Sequence, residues 1–107
     1  MNHNLILLPD AQQDILDIAL WYMDNVPSSI ADSFLEAVDE TLEKLKVSPE
    51  QHAYRHSDVR GIQVRRTAPK GQARKFPHII FYRFDNPDII VTQVFPMKSD
   101  PRNIRRS

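Results

Sequence analysis

The hydrophobic positions of this chain fall into four strand-like runs and two helical stripes. The densest part is Arg74–Phe95, where the runs Ile79–Tyr82 and Ile89–Val91 consist of residues that fit a pleated surface. The segment Asp85–Asp88 between these runs is Asp-Asn-Pro-Asp, a cluster of turn formers. The pattern therefore predicts a β-hairpin as the centre of the domain.

Side chains alternate across a strand, which divides the first strand of this hairpin into two faces. One face carries His78, Ile80, Tyr82 and Phe84, and the other carries Ile79, Phe81 and Arg83. Because apolar groups lie on both faces, we expect a central strand that is covered on one side and part-covered on the other.

The first fifty residues predict a short strand and a helix, followed by a second helix. Asn4–Leu8 is an apolar run ended by Pro9, and Asp10 offers an oxygen to cap the helix that follows. The apolar stripe of that helix is Ala11, Ile15, Ile18 and Tyr22, widened by Leu16, Leu20 and Trp21. We expect Trp21 and Tyr22 to pack in the core, and Asp14, Asp17 and Asp24 to point elsewhere.

A second helix is predicted from a serine cap, Ser28 or Ser29, to about Lys46. Its apolar positions are Ile30, Phe34, Val38, Leu42 and Leu45, with Glu40 and Lys44 forming a supporting pair on the polar side. The short break Asn25–Ser29 between the two helices predicts a packed αα-hairpin.

After Pro49 the periodic pattern of apolar positions becomes weaker. Glu50–Arg60 is polar and predicts a loop, in which His52 and His56 face solvent and bind no metal. Gly61 opens a strand in which Ile62 and Val64 alternate with polar residues, and 67–73 predicts a loop or a broken strand. The basic segment 97–107 predicts an irregular tail.

These elements predict one α+β domain over residues 1–107, in the order β-α-α-β-β-β. A helical hairpin covers one face of a small, mainly antiparallel sheet. The uncovered face is expected to carry Arg65, Arg74 and Arg83.

The composition indicates the cellular compartment and shows that charge is distributed unequally between the two halves of the chain. The chain has no cysteine and no apolar run long enough for a membrane helix, so we expect a cytoplasmic protein without a metal or other cofactor. Residues 1–50 contain ten acidic and two basic residues, whereas residues 51–107 contain four acidic and twelve basic ones. This asymmetry indicates one acidic and one basic surface, although the two halves can also neutralise each other within the fold.

Several motifs, taken in order, resemble the RelE/ParE superfamily of bacterial toxins. They are the helix segment DILDIALWY, Ala31-x-x-Phe34, Gly61-x-x-x-Arg65-Arg66, Arg74-Lys75-Phe76-Pro77-His78-x-Ile80-x-Tyr82-Arg83 and Lys98-x-Asp100-Pro101-Arg102. The resemblance covers nearly the whole chain and rests on the order of these motifs, since none is specific alone.

The resemblance implies the toxin of a type II toxin-antitoxin system, which inhibits growth and stabilises plasmids. Its partner is a cognate antitoxin with an acidic or hydrophobic C-terminal segment, bound in a hetero-oligomer. One branch of the superfamily cleaves messenger RNA on the ribosome. The ParE branch instead inhibits DNA gyrase by binding it.

Cleavage of RNA by its 2′-hydroxyl requires a base, an acid and cations for the phosphate. Arg65, Arg83 and Arg102 are the candidate cations, and His78 is the candidate proton carrier, although alternation puts it on the face opposite Arg83. Many relatives have a histidine after the last strand, and here Pro96 occupies that position. This departure favours a gyrase inhibitor over a ribonuclease.

A gyrase inhibitor needs a binding surface and no acid–base pair. The candidate residues for binding gyrase or the antitoxin are Arg65, Arg66, Arg74, Arg83, Lys98, Arg102, Arg105 and Arg106. Three hypotheses follow: a ParE-like gyrase inhibitor, which is favoured, a ribosome-dependent endoribonuclease, and an inactive scaffold that still binds an antitoxin.

Overall fold

The computed structural model describes residues 3–52, 54–56, 58–67 and 73–96. Two helices and five strands make up these residues. In chain order they are β1 (Asn4–Leu7), α1 (Pro9–Asn25), α2 (Ser28–Val47), β2 (Tyr54–His56), β3 (Val59–Thr67), β4 (Ala73–Asp85) and β5 (Asp88–Pro96). None of the helices described is long and apolar enough to cross a membrane.

All five strands form one mixed sheet in the order β1-β5-β4-β3-β2. The strands β2 to β5 pair antiparallel with their neighbours along the chain, whereas β1 lies parallel to β5, with Asn4 opposite Asp88 and Leu7 opposite Val91. The predicted α+β class with a mainly antiparallel sheet is confirmed. The hairpin of β4 and β5 is also confirmed, with Asp85 opposite Asp88 at its turn.

The two helices cover one face of this sheet, with α1 against β5 and α2 against β3. Residues Val26 and Pro27 join them, and the rings of Tyr22 and Phe34 pack against each other at 5.5 Å. On the sheet, Ile80 and Tyr82 are fully buried beneath the helices. We call this the helix face of the sheet and the other side the open face.

Tyr82 belongs to the core, as predicted. Its hydroxyl donates a hydrogen bond to the Pro49 carbonyl, and burial raises the pKa of Tyr82 to about 12. The stripe of α2 is confirmed as well, because Phe34, Val38 and Leu45 are buried and Ile30 and Leu42 pack against the core. The pair of Glu40 and Lys44 forms at 3.7 Å.

The predicted caps are wrong for both helices. Pro9 is the first residue of α1 and Leu8 precedes it as the cap, so Asp10 lies inside the first turn. Proline suits this position because the first helical N–H has no partner within the helix. For α2 the capping residue is Pro27, and no side chain caps the helix.

The predicted faces of α1 need two corrections. Asp14 is buried, not turned away from the core, and its Oδ2 accepts a hydrogen bond from the Val94 N–H at 3.0 Å. Leu16, Leu20 and Trp21 are all more than half exposed and lie outside the core, whereas Tyr22 is buried as predicted. The apolar face of α1 that packs on the sheet is therefore narrower than the one predicted from the number of apolar residues in this helix.

The polar segment Glu50–Arg60 contains more structure than a loop. It includes β2 and the first two residues of β3, which begins at Val59 and not at Gly61. Arg60 organises this region, since its guanidinium donates hydrogen bonds to the carbonyls of Glu50 and His52 and to the Tyr54 hydroxyl. The same group lies 4.2 Å from the centre of the Tyr54 ring.

Candidate binding surface

Of the three arginines that were predicted for the uncovered side of the sheet, Arg65 and Arg83 lie on the open face but far apart. Arg65 is opposite Lys75 at one end of β4, and Arg83 is near the other end of that strand, opposite Ile90. The eight residue steps from Lys75 to Arg83 correspond to about 26 Å of strand. No single phosphate can therefore contact both guanidinium groups.

The middle of the open face is buried and largely apolar, in line with the expectation that both faces of the central strand carry apolar groups. Ile79 is 6% exposed, Phe81 7% and Gln93 1%. Among the described residues, the amide of Gln93 has no hydrogen-bond partner on either its nitrogen or its oxygen. Positive charge on the described part of this face is confined to its ends.

The other predicted binding residues are not gathered on the open face. Arg66 lies on the helix face, where its guanidinium pairs with Glu36 at 2.6 Å and contacts the Ser33 hydroxyl at 3.2 Å. Arg74 is opposite Arg66 in the register of β3 and β4, and its side chain lies outside the described part of the structure. The remaining candidates lie outside the described residues, namely Lys98, Arg102, Arg105 and Arg106.

His78 is enclosed by aromatic rings on the helix face. The centre of its ring is 6.0 Å from that of Tyr22 and 5.4 Å from that of Phe34. Its Nδ1 has no hydrogen-bond partner in the described part of the chain, and burial lowers the pKa of His78. The whole thickness of the sheet separates this ring from Arg83, as alternation predicted.

A groove of about 610 Å³ lies where the second half of α2 meets the outer edge of β3 and the segment that precedes β2. Its walls carry three positively charged side chains and one imidazole. These are Lys44 from α2, His52 and Arg55 from the segment around β2, and Arg65 from β3. This groove is therefore a basic concave surface.

The sequence predicted that His52 faces solvent, and this prediction is wrong. The side chain is partly buried at the wall of the groove. Its ring packs edge-on against Tyr82, with 6.4 Å between ring centres. Burial, followed by the positive charge of Arg60, lowers the pKa of His52. The imidazole is therefore neutral at pH 7 and can accept a proton.

Sequence reasoning overlooked Arg55 and Lys44 as members of this site. Arg55 stands in a segment without periodicity, and Lys44 was explained by its pair with Glu40. The glycine at position 61 was the available signal. A Cβ atom there would lie 2.7 Å from the Arg55 Cγ, which indicates that the arginine stem rests on the glycine backbone.

Comparison with known proteins agrees with this architecture. The fold is similar to that of a protein from the chromosomal ParDE toxin-antitoxin system of P. aeruginosa, with a TM-score of 0.69 and 18% identity over 88% of this chain and 95% of the other. It is also similar to a chain of the RelBE2 toxin-antitoxin complex of Mycobacterium tuberculosis, with a TM-score of 0.55 and 13% identity over 90% of this chain and 99% of the other. No curated protein matches the sequence.

The family comparison is more specific than these structural similarities. Residues 5–101 match the family described as the ParE toxin of the type II toxin-antitoxin system parDE. This match spans both helices, every strand of the sheet except the first residue of β1, and the basic groove. The chain therefore belongs to the ParE toxin family of type II toxin-antitoxin systems.

Proposed function

We propose that this toxin arrests growth by binding DNA gyrase, and that a cognate antitoxin neutralises it by binding the toxin directly. A toxin of this kind needs surface complementarity to two proteins and no chemical step of its own. The ParE family match supports this reading. So does the separation of Arg65, Arg83 and His78, the described groups that an RNA-cleaving site was predicted to use.

The observation that supports the proposal most strongly is the distance between the three groups predicted for RNA cleavage, Arg65, Arg83 and His78. Proton transfer requires heavy atoms within about 3 Å of each other or one bridging water. His78 is surrounded by Tyr22 and Phe34 on the helix face, while the two arginines lie on the open face about 26 Å of strand apart. Within the described residues, these three groups cannot act on one phosphodiester.

One observation favours a second candidate function, a ribosome-dependent endoribonuclease. The groove contains a neutral imidazole, His52, together with Arg55 and Arg65. A neutral imidazole can take the proton of a 2′-hydroxyl, and guanidinium groups can stabilise the charge that develops on a phosphate. In this alternative, the reaction uses the groove and His52, and does not use His78.

Two assays run in parallel distinguish these functions. The purified chain is added to DNA gyrase with relaxed plasmid, and to ribosomes carrying a defined message. We expect supercoiling to be blocked and the message to stay intact. Cleavage of the message with unaffected supercoiling would contradict the proposal and support the ribonuclease.

The variant His52→Ala sharpens this choice. Gyrase inhibition should persist in this variant, because the imidazole has no chemical role in it, whereas a ribonuclease that uses His52 as a base should lose roughly a hundredfold or more in rate. An inactive scaffold would fail in both assays and would allow normal growth when expressed without the antitoxin. Circular dichroism of each preparation confirms that an inactive sample is folded.

A further inference from the structure

The basic groove gathers positive charge from three separate elements of the fold. Lys44 comes from α2, Arg55 from β2 and Arg65 from β3. No aspartate or glutamate is among the described residues that line the groove. A concave surface lined by charges of one sign concentrates the electrostatic field, so this groove attracts anions.

The two arginines of the groove have no ion pair with a described acidic residue. Both are exposed, and the stem of Arg55 rests against Gly61 on the open face of the sheet. A guanidinium group presents several N–H donors in a planar fork that binds phosphate oxygens in pairs. Lys44 also contacts Glu40, at 3.7 Å, so it contributes less positive charge than either arginine. This set of groups matches a ligand whose phosphates lie close together.

The part of the groove near the end of α2 has a different chemistry. Val47, which is 59% exposed, and Ile62 give it an apolar wall. α2 ends at Val47, and the carbonyl groups at the C-terminus of a helix carry partial negative charge. The helix dipole therefore favours phosphates beside the arginines and leaves the apolar wall to an uncharged, partly apolar group. A nucleoside is such a group.

We infer that this groove binds a free nucleotide that carries two or three phosphates. The phosphate chain lies beside Arg55 and Arg65, and the nucleoside packs against Val47 and Ile62. The volume of about 610 Å³ is within the range of about 300–1,000 Å³ that is typical of small-molecule sites. This nucleotide site goes beyond the proposed function and does not depend on it.

The described surface fits a compact nucleotide better than a strand of RNA. Proteins that bind single-stranded RNA stack its bases on aromatic side chains and follow its backbone with a basic track. No phenylalanine, tyrosine or tryptophan is among the described residues that line the groove. The buried residues Ile79 and Phe81 lie between the groove and Arg83, the arginine near the other end of β4. The positive charge of the groove is therefore local.

The test is isothermal titration calorimetry of the full chain with ATP, AMP and inorganic triphosphate, in buffer without divalent metal ions. We expect saturable, one-to-one binding of ATP. AMP should bind roughly tenfold more weakly or not at all, because a single phosphate makes fewer charge-assisted hydrogen bonds. Inorganic triphosphate should also bind more weakly than ATP, since it buries no apolar surface against the wall of the groove.

Variants of the groove separate the contacts of the phosphates from those of the nucleoside. Arg55→Ala and Arg65→Ala should each weaken the binding of ATP and of inorganic triphosphate roughly tenfold. Val47→Ser should weaken the binding of ATP and leave that of inorganic triphosphate unchanged. Lys44→Ala should weaken the binding of both ligands. Its matched control is Lys46→Ala, on the same helix but outside the groove, which should leave both affinities unchanged.

Three outcomes would overturn the inference: no ATP binding by a chain that circular dichroism shows to be folded, undiminished ATP binding by the Arg55 and Arg65 variants, or equal affinities for ATP and AMP. Equal binding of ATP and inorganic triphosphate would refute the nucleoside contact with Val47. Displacement of ATP by a lower concentration of single-stranded RNA would assign the groove to RNA instead. If Arg65→Ala fails to fold, Arg55→Ala and Lys44→Ala provide the same comparison.

Discussion

The carboxylate of Asp14 on α1 accepts a hydrogen bond from the backbone N–H of Val94 on β5, at 3.0 Å and in a buried position. This contact connects residues that are 80 positions apart in the chain. It fixes the rotation of α1 over the sheet, because rotation of the helix about its axis would break the hydrogen bond between the Asp14 carboxylate and the Val94 N–H.

We expect Asp14→Ala to destabilise the protein by about 1–3 kcal/mol, because the Val94 N–H loses its acceptor in a buried position. Asp14→Asn keeps an acceptor oxygen and should lose less. Urea unfolding followed by circular dichroism measures both free energies. The control is Asp17→Ala on the exposed side of the same helix, which should change stability by about 0.5 kcal/mol or less. An equal loss in the two alanine variants would show that the contact with Val94 does not stabilise the fold.

Thr41→Val should destabilise the protein and expose the edge of β3. The Thr41 hydroxyl donates to the Ala37 carbonyl at 2.7 Å and accepts from the Arg65 N–H at 3.0 Å. Valine has nearly the shape of threonine but can make neither hydrogen bond, so we expect a loss of about 1–3 kcal/mol. Hydrogen exchange at the Arg65 amide should become faster. Thr41→Ser keeps the hydroxyl that accepts from the Arg65 N–H and should keep the amide protected. Unchanged exchange in the valine variant would refute the role of Thr41 at this edge.

The stability of the chain should fall as the pH drops below 6.5, the ordinary pKa of histidine. Burial lowers the pKa of His78 in the folded state, so between the lowered value and 6.5 the unfolded chain binds a proton that the folded chain does not. Stability therefore rises with pH across this window and levels off above it. Urea unfolding at a series of pH values measures the slope.

His78→Phe removes the titrating group and retains the ring that packs on Tyr22 and Phe34. This variant should show a shallower dependence on pH. Any slope that remains in the same direction is expected from His52, whose pKa is also lowered by burial. An identical slope in His78→Phe and in the unaltered protein would contradict the assignment to His78.

Gly61→Ala should reduce stability and displace Arg55 from the groove. A Cβ atom at this position would lie 2.7 Å from the Arg55 Cγ and 2.8 Å from the Ile79 Cγ2, both closer than van der Waals contact. We expect a loss of about 1–3 kcal/mol, as for other additions to a packed site. The double variant Gly61→Ala/Arg55→Ala relieves one of the two clashes, so its loss should be smaller than the sum of the single losses. Strict additivity would show that the arginine stem does not rest on Gly61.

The sequence predicted the elements whose signals are local. The stripe of α2 and the hairpin of β4 and β5 were correct, because periodicity and turn chemistry depend on residues close together in the chain. The burial of Tyr82 and the opposite placement of His78 and Arg83 followed from alternation alone.

The errors concern contacts that depend on distant partners. From the sequence alone Asp14 was predicted to face solvent, but its position beside Val94 in the fold makes it a buried hydrogen-bond acceptor. Three apolar residues of α1 were predicted to lie in the core, but the orientation of the helix leaves them exposed, namely Leu16, Leu20 and Trp21. The distance between Arg65 and Arg83 depends on the register of β3 against β4, which the individual strands do not encode. The groove was not predicted because its walls come from three separate segments of the chain, which are α2, the segment around β2, and β3.

The parallel pairing of β1 with β5 has a consequence for synthesis of the toxin. Asn4 has no strand neighbour until Asp88 has been made, so this edge of the sheet closes only after β5 has emerged from the ribosome. Prematurely terminated products that end before β5 lack both the second strand of the central hairpin and the partner of β1. Such fragments should be harmless to the cell and easily degraded, and the time needed to translate the last strand delays the appearance of a folded toxin.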